Sequence, residues 1–289
     1  MKKRNWLWVL IIILSLGAFV GYRMLAAMRA DTRAPEIHMA SELMEVSVED
    51  PRTALLQGIT ADDNKDGDVT DSIVVERITM LDSDGNVSVS YAAFDAAGNV
   101  TRAERKAVYT DYVSPRFTLS RPLQYTQGTS FDILANVGAT DVFDGEIQHR
   151  VRANVLGEAA ISTLGTHMVE FKVTNSLGDT HTVNLPVEVS AYENYGADLK
   201  LKQYLVYLPV GAAFNAASYL DTFSYQRELV TLDGVVPAGF DLETVGNVQT
   251  RNPGVYTLDY TLKYSEKNEN GMVAMKYSAD SRLIVIVEG

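Results

Sequence analysis

An acidic Asp-Gly turn followed by an alternating strand recurs along this chain at fixed distances, and that repetition restricts the fold more than any other feature. Residues 61–75 read ADDNKDGDVTDSIVV and residues 87–99 read VSVSYAAFDAAGN. In the second stretch Val87, Val89, Tyr91 and Ala93 point one way and Ser88, Ser90, Ala92 and Phe94 the other, the period of two of a half-buried strand. The Asp95-to-Asn99 segment then turns the chain back. A second copy keeps the grammar: Asp141, Asp144, Gly145 and Ile147 match Asp63, Asp66, Gly67 and Val69, and Phe171, Asn175 and Gly178 match Tyr91, Asp95 and Gly98. A third copy is weaker, with Asp233-Gly234-Val235 in the turn position and 254–260 as the strand. Its closing turn is a longer hairpin with Asn268 and Gly271 at the tip. The period is roughly 80 residues, enough for one small β-sandwich per repeat.

Candidate strands in the first repeat are 44–48, 54–60, 73–78, 86–94 and 101–110, each bounded by Asp, Gly, Asn or Pro. The pattern predicts an all-β fold: three tandem sandwich domains at 34–112, 113–191 and 192–289, joined near 111–115 and 192–198. The chain has no cysteine, so disulfides and thiolate metal sites play no part, and each domain depends on apolar burial.

Residues 1–33 read differently. Lys2, Lys3 and Arg4 precede an uncharged run, 6–22, containing LWVLIIIL and flanked by Trp6, Trp8 and Tyr22. At 1.5 Å per residue this is the short limit for one transmembrane helix. The leading cations keep the N-terminus cytoplasmic and send the rest outside. The alternative is a secretion signal cleaved near Ala26 and Ala27, although Arg23 and Met24 interrupt the expected cleavage region. Residues 1–33 carry six basic and one acidic side chain, the remainder 19 and 36. An acidic exterior repels nucleic acid and favours cations or basic partners.

The stretch GITADDNKDGDVTDSIVV, followed by YAAFDAAGN and RKAVYTD, resembles the Ig-like repeats of bacterial surface proteins, the group that includes HYR-like and pesticidal-crystal-protein-type Ig modules. The resemblance covers about 250 residues, strongest in the first copy and weakest in the third. It implies Ig-like β-sandwiches used as spacers or binding modules on a cell surface. It implies no enzyme, and a fold of this kind assigns no ligand.

The acidic loop is the one candidate metal site. Asp62, Asn64, Asp66 and Gly67 fall where an EF-hand has its first, third, fifth and sixth positions, with Asp63 and Asp68 alongside. At the twelfth position stands Ile73 rather than a bidentate Glu, and a strand follows rather than a helix. Asp62, Asp63, Asn64, Asp66, Asp68 and Asp71 are therefore candidate Ca²⁺ ligands in a loop geometry of their own, with Asp95 or Asp71 completing the shell. The other reading is a plain Asp-Gly turn whose carboxylate accepts backbone N–H groups. The second copy keeps Asp144 and Gly145 and drops most of the surrounding oxygens, as a plain turn would allow.

Catalytic signatures are absent: no cysteine nucleophile, Gly-x-Ser-x-Gly elbow, phosphate-binding loop or His-Glu-x-x-His. His38, His149, His167 and His181 are scattered, with His167 and His181 on strands that could bring them together. The aromatics Tyr204, Tyr207, Phe214, Tyr219, Phe223 and Tyr225 concentrate in the third copy, either as a binding face or as sandwich core. The sequence thus predicts a non-enzymatic, single-pass membrane protein with its Ig-like modules outside the cell. It is held by the N-terminal helix and binds a surface protein or glycan rather than nucleic acid. An accessory to a cell-wall or carbohydrate-processing enzyme, or a secreted form, is the alternative.

Overall fold

The computed structural model describes residues 3–82, 85–128, 132–158, 160–191, 196–267 and 271–289. Lys2, residues 129–131, the linker residues 192–195 and the hairpin residue Asn268 lie outside the described residues. The protein is all-β behind one N-terminal helix, and it divides into two compact units, Met1–Tyr112 and Val113–Gly289.

Helix α1, Lys3–Arg29, contains an 18-residue apolar window, Trp8–Leu25, none of which is buried by the rest of the protein. It is long and apolar enough to cross a membrane. A helix that is apolar all round and packs against nothing has no amphipathic face to give a protein core.

The first unit contains seven strands: β1 Glu36–Met39, β2 Leu43–Val46, β3 Ile59–Asp63, β4 Gly67–Asp68, β5 Val74–Ile78, β6 Asn86–Phe94 and β7 Val100–Tyr109. They form two sheets, ordered β1-β3-β4 and β2-β7-β6-β5, antiparallel except that β2 runs parallel to β7. The alternation read in β6 holds for its inward face, with Val87, Val89, Tyr91 and Ala93 all at 0–1% exposure, but on the other face Ser90 and Ala92 are buried as well. Leu55, Ile59, Ala61 and Ile73 are buried in the same unit.

The strand expected at 54–60 forms only in its last two residues. Pro51 precedes a 3₁₀ turn, Arg52–Leu56, and Gly58 at φ +72 resets the chain before β3. Buried donors hold this turn in place. Tyr91 Oη donates to the Leu55 carbonyl at 2.7 Å, and Arg105 reaches the carbonyls of Leu55 and Gln57 at 2.9 and 3.0 Å. A continuous strand would have offered those carbonyls to a neighbouring strand instead.

The second unit repeats the topology twice. Strands β8 Arg116–Leu119, β9 Gln124–Thr126, β10 Val137–Asp141, β11 Gly145–Glu146, β12 Arg152–Val155, β13 Gly165–Thr174 and β14 Thr180–Ser190 form sheets β8-β10-β11 and β9-β14-β13-β12. The third set is β15 Ala197–Leu201, β16 Leu205–Pro209, β17 Leu220–Tyr225, β18 Glu228–Thr231, β19 Phe240–Val245, β20 Gly254–Lys267 and β21 Val273–Glu288. It forms β15-β17-β18 and β16-β21-β20-β19. In each set the second strand runs parallel to the last, so the repeat seen in the sequence is a repeat of strand order.

The division expected at 191/192 runs through this unit. One cluster of buried residues draws on both sandwiches, Phe117, Phe171 and Leu185 from one and Phe223, Tyr260 and Leu283 from the other. Arg282, with its side chain 10% exposed, bridges Glu188 and Asp259 at 2.5 Å each, and Arg116 meets Glu288 at 2.6 Å. The amide of Phe117 donates to Tyr207 Oη at 3.0 Å, and burial pushes that phenol's pKa up to about 12.

The aromatic residues of the third copy serve this packing. Phe223 and Tyr204 are buried, while Tyr207, Phe214, Tyr219 and Tyr225 pack half-buried against the same cluster. Tyr225, Tyr264 and Tyr277 cluster with ring centroids 4.7–6.4 Å apart, Tyr264 and Tyr277 stacked and Tyr225 tilted against both. The Asp-Gly of this copy is displaced. The position of the β3–β4 turn is taken by a hairpin in which Tyr225 pairs with Glu228 and Gln226 has φ +50, and Asp233-Gly234 follows β18.

Candidate metal centre

The alternation of β3 decides which acidic residues can meet. Ile59, Ala61 and Asp63 face inward and Thr60 and Asp62 outward. Asp63 therefore sits at the inner end of the strand, 6% exposed, where Gly67 at φ +72 turns the chain into β4. Its Oδ1 accepts the amides of Lys65 and Asp66 at 2.8 and 3.0 Å, and these N–H groups hold the carboxyl below the usual carboxylate range.

Two further segments converge on the same corner. In the β6–β7 turn, Asp95 is 8% exposed. Its Oδ1 accepts Asn99 N at 2.7 Å and its Oδ2 accepts Asn99 Nδ2 at 2.6 Å. Asp66 joins this turn to the β3–β4 turn by accepting the Ala96 amide at 2.9 Å. Between α1 and β1, Asp31 has its side chain 8% exposed and its Oδ1 on the Arg33 amide at 3.1 Å. The Arg33 carbonyl accepts Asn99 Nδ2 at 3.1 Å, and Lys65 Nζ lies 2.8 Å from the Ala30 carbonyl and 3.8 Å from Asp31 Oδ1.

One carboxylate oxygen from each of Asp31, Asp63, Asp66 and Asp95 lies within 4.8 Å of every other. Asp31 Oδ2 and Asp63 Oδ2 are buried and accept no hydrogen bond. Four carboxylates are thus gathered at one corner with the Lys65 ammonium at its edge, an arrangement that favours a further cation.

Of the six residues the sequence singled out, the fold brings Asp63 and Asp66 together and sends the others elsewhere. Asp62, on the outer face of β3, pairs with His38 Nε2 at 2.6 Å. Asp68 is held below the usual carboxylate range by the hydroxyl and amide of Thr70, the amide at 2.9 Å. Asp71 is exposed and is not among the four clustered carboxylates, and Asn64 is exposed beside Asp63. The EF-hand numbering fails because its first ligand falls on a strand, where neighbouring side chains take opposite faces. Asp95 is in the cluster. Asp31, which the sequence reading left in the anchor segment, is the clustered carboxylate it missed; its counterpart in the repeat, Asp111, accepts Ser47 Oγ and the Val48 amide and so pointed to no cluster.

The second copy builds the same corner and neutralises it. Asp141 Oδ1 accepts the amides of Phe143 and Asp144 at 2.9 and 3.0 Å, as Asp63 does, but Asp141 Oδ2 takes Asn175 Nδ2 at 3.0 Å. Asp144 Oδ2 meets Arg150 Nη1 and the Ser176 amide, both at 2.6 Å. Burial pushes the Asp144 carboxyl up, and the bonds from Ser176 and Arg150 more than offset it, leaving the group below the usual range.

The histidine pair does not form. His167 Nε2 lies 2.8 Å from the Thr163 carbonyl, and His181 packs against the rings of Phe117 and Tyr207, 5.6 and 6.3 Å away. Elsewhere in the second unit a polar cleft of 580 Å³ is lined by Arg121, Gln124, Asn136, Asp198, Lys200 and Tyr204.

No protein-family model matches the chain. No curated protein matches it either. Among solved structures it is similar to the EC1-4 fragment of Drosophila N-cadherin, at 12% identity and TM-score 0.23, over 75% of this chain and 66% of that one. It is similar to mouse cadherin-23 EC22-24, at 11% identity and TM-score 0.21, over 89% and 99%. A third likeness is to a Clostridium perfringens ZmpB structure, CBM51-2 in complex with GlcNAc and INT domains, at 12% identity and TM-score 0.22, over 88% and 41%. The chain spans less than two thirds of the N-cadherin and ZmpB chains. At these TM-scores the likenesses carry no argument about site or ligand.

Proposed function

We propose that this is a non-enzymatic, membrane-anchored bacterial cell-surface protein whose Ig-like sandwiches act as spacer and binding modules. The observation that carries the reading is α1: its 18-residue apolar window has no protein surface to bury against, and a bilayer is the solvent that accepts such a helix. Lys2, Lys3 and Arg4 ahead of it set the N-terminus on the cytoplasmic side. The sandwiches outside need no disulfide, since their cores close on apolar residues. The bridges from Arg282 and Arg116 stiffen the second unit, a property that suits a spacer. Its partner on the surface is a protein or glycan, for which the polar cleft offers hydrogen-bonding walls. The acidic exterior disfavours nucleic acid.

Protease treatment of intact cells tests the placement. Loss of the sandwiches from the membrane fraction, with the N-terminal peptide retained, is the expected result. Sandwiches that survive until lysis, or that accumulate in the medium cut near Ala27, would overturn the anchor.

A further inference from the structure

We propose that Asp31, Asp63, Asp66 and Asp95 bind one Ca²⁺ ion, which fastens residues 30–35 to the corner of the first sandwich. The donor set consists of carboxylate oxygens alone, which selects a hard cation over the soft and imidazole-seeking metals. The four oxygens lie within 4.8 Å of one another, near enough for one ion to touch all four. Ca²⁺ accepts many oxygens in a flexible geometry, whereas Mg²⁺ demands a near-ideal octahedron and keeps several waters, so a carboxylate set drawn from three separate segments suits Ca²⁺.

A solvated acidic turn would not look like this. Asp31 and Asp63 each keep a buried Oδ2 without a donor, and a buried acceptor left unpaired is costly. The second copy shows how the fold meets that cost when no ion is involved. Asn175 stands where the first copy has Asp95 and gives its amide to Asp141, and Arg150 stands where the first copy has Ser72 and pairs with Asp144. In the first copy both donors are gone, Asp95 adds a carboxylate, and Asp31 brings another from the segment that follows α1. Lys65 supplies one positive charge at the rim, 3.8 Å from Asp31, leaving room for a divalent ion in the charge balance.

The ion would tie three separate segments, the 30–35 stretch, the β3–β4 turn and the β6–β7 turn. Hydrogen bonds already align them: Asn99 Nδ2 to the Arg33 carbonyl, Lys65 Nζ to the Ala30 carbonyl and the Ala96 amide to Asp66. Bridging carboxylates from all three would convert that alignment into a clamp between the helix and the first sandwich.

The test uses the full-length protein in detergent and Ca²⁺ alone. Calorimetric titration should give one saturable site with a Kd of about 10⁻⁴–10⁻³ M, the range of extracellular modules. Asp31→Asn and Asp95→Asn, which preserve side-chain shape, should each weaken it by about tenfold or more. Trypsin cleavage after Arg33 should slow severalfold when Ca²⁺ is added to the wild type and be unaffected by Ca²⁺ in either variant. Absence of saturable uptake by wild-type protein up to about 10 mM Ca²⁺ would overturn the site whatever the variants do. Uptake undiminished in both variants would place the ion elsewhere. Binding with an unchanged cleavage rate would overturn the clamp.

Discussion

The corner between β3 and β4 of the first sandwich and the corner between β10 and β11 of the second share one backbone and differ in their charge arrangement. Both use an aspartate whose Oδ1 collects two successive amides. Both place a second aspartate three residues on, and both set a glycine with positive φ after it. In the second corner the remaining oxygens meet the amide of Asn175 and the guanidinium of Arg150. In the first, two buried oxygens meet no donor and a third and fourth carboxylate crowd in. Turn formation therefore does not account for the extra acids, because the second corner folds the same way without them. They alter only what the corner can attract.

The largest expected effect comes from making the closed corner open. Asn175→Asp with Arg150→Ser in one chain removes both donors and places a third carboxylate beside Asp141 and Asp144. In chelator the second unit should lose about 2–4 kcal/mol, the sum of two acceptors left unpaired, measured by urea unfolding. Added Ca²⁺ should restore part of that loss. A double variant as stable as the wild type in chelator would mean that the Asn175 and Arg150 bonds contribute nothing, and the contrast between the corners would lose its energetic meaning.

The converse substitution carries a smaller effect of opposite sign. Asp95→Asn gives the first corner the amide that Asn175 gives the second, while its nitrogen can no longer accept Asn99 Nδ2. In chelator the first unit should gain less than about 1 kcal/mol, the relief of like-charge repulsion and one new hydrogen bond being largely offset by the bond lost to Asn99. The wild type should gain about 1.4 kcal/mol at a tenfold excess of Ca²⁺ over Kd, and the variant nothing. Thermal unfolding with and without Ca²⁺ reads both changes. Equal Ca²⁺ stabilisation in the two proteins would separate Asp95 from the site.

Much of this was legible in the sequence, and the boundary of legibility is physical. The strand order repeated three times follows from the alternation in 87–94 and the turns around it, local patterns that a chain reports directly. The buried position of Asp63 also follows from alternation, once β3 is placed. Its starting point was hidden, because the 3₁₀ turn before it is held by Tyr91 and Arg105, residues distant in sequence whose reach to Leu55 and Gln57 has no local mark. Asp31 was obscured by its proximity to the apolar helix, and its repetition as Asp111 gave no pointer, since Asp111 bonds to Ser47 and Val48 instead. The joining of the second and third sandwiches rests on a shared apolar cluster and on the pairs Arg282–Glu188 and Arg116–Glu288. Among many charged residues on an acidic chain, nothing in sequence singles out the few that meet.

Lys65 offers a finer test of the open corner. Its ammonium lies 3.8 Å from Asp31 Oδ1, so it both relieves the acidic crowding and competes with an incoming ion. Lys65→Met keeps the backbone amide that Asp63 accepts and removes the charge. Ca²⁺ affinity should rise about threefold to tenfold, consistent with one partly screened charge at this distance. Stability in chelator should fall by less than about 1 kcal/mol, as for other exposed pairs. Unchanged affinity would show that the ion sits beyond the reach of Lys65.

The smallest effect is an acid one, and it belongs to the closed corner. Asp144 is held below the usual carboxylate range in the folded state, since the bonds from Ser176 and Arg150 outweigh its burial. A depressed folded pKa means that the unfolded chain binds the proton first as pH falls. The stability contributed by this pair is therefore fully present above the unfolded carboxylate value of 3.8 and is lost as pH drops through the lower folded value. Stability of the second unit should fall below about pH 4 through this group and be indifferent to it at neutral pH. Asp144→Asn keeps the shape and an oxygen for the Ser176 amide but removes the titration. Its stability deficit relative to wild type should be constant from pH 5 to pH 8 and shrink below about pH 4, where the wild-type carboxylate is itself being protonated. A deficit that stays constant through the acid range would show that Arg150 and Ser176 do not depress this carboxyl. The closed corner would then be held by the Asn175 amide alone, and Asp95→Asn by itself would suffice to turn one corner into the other.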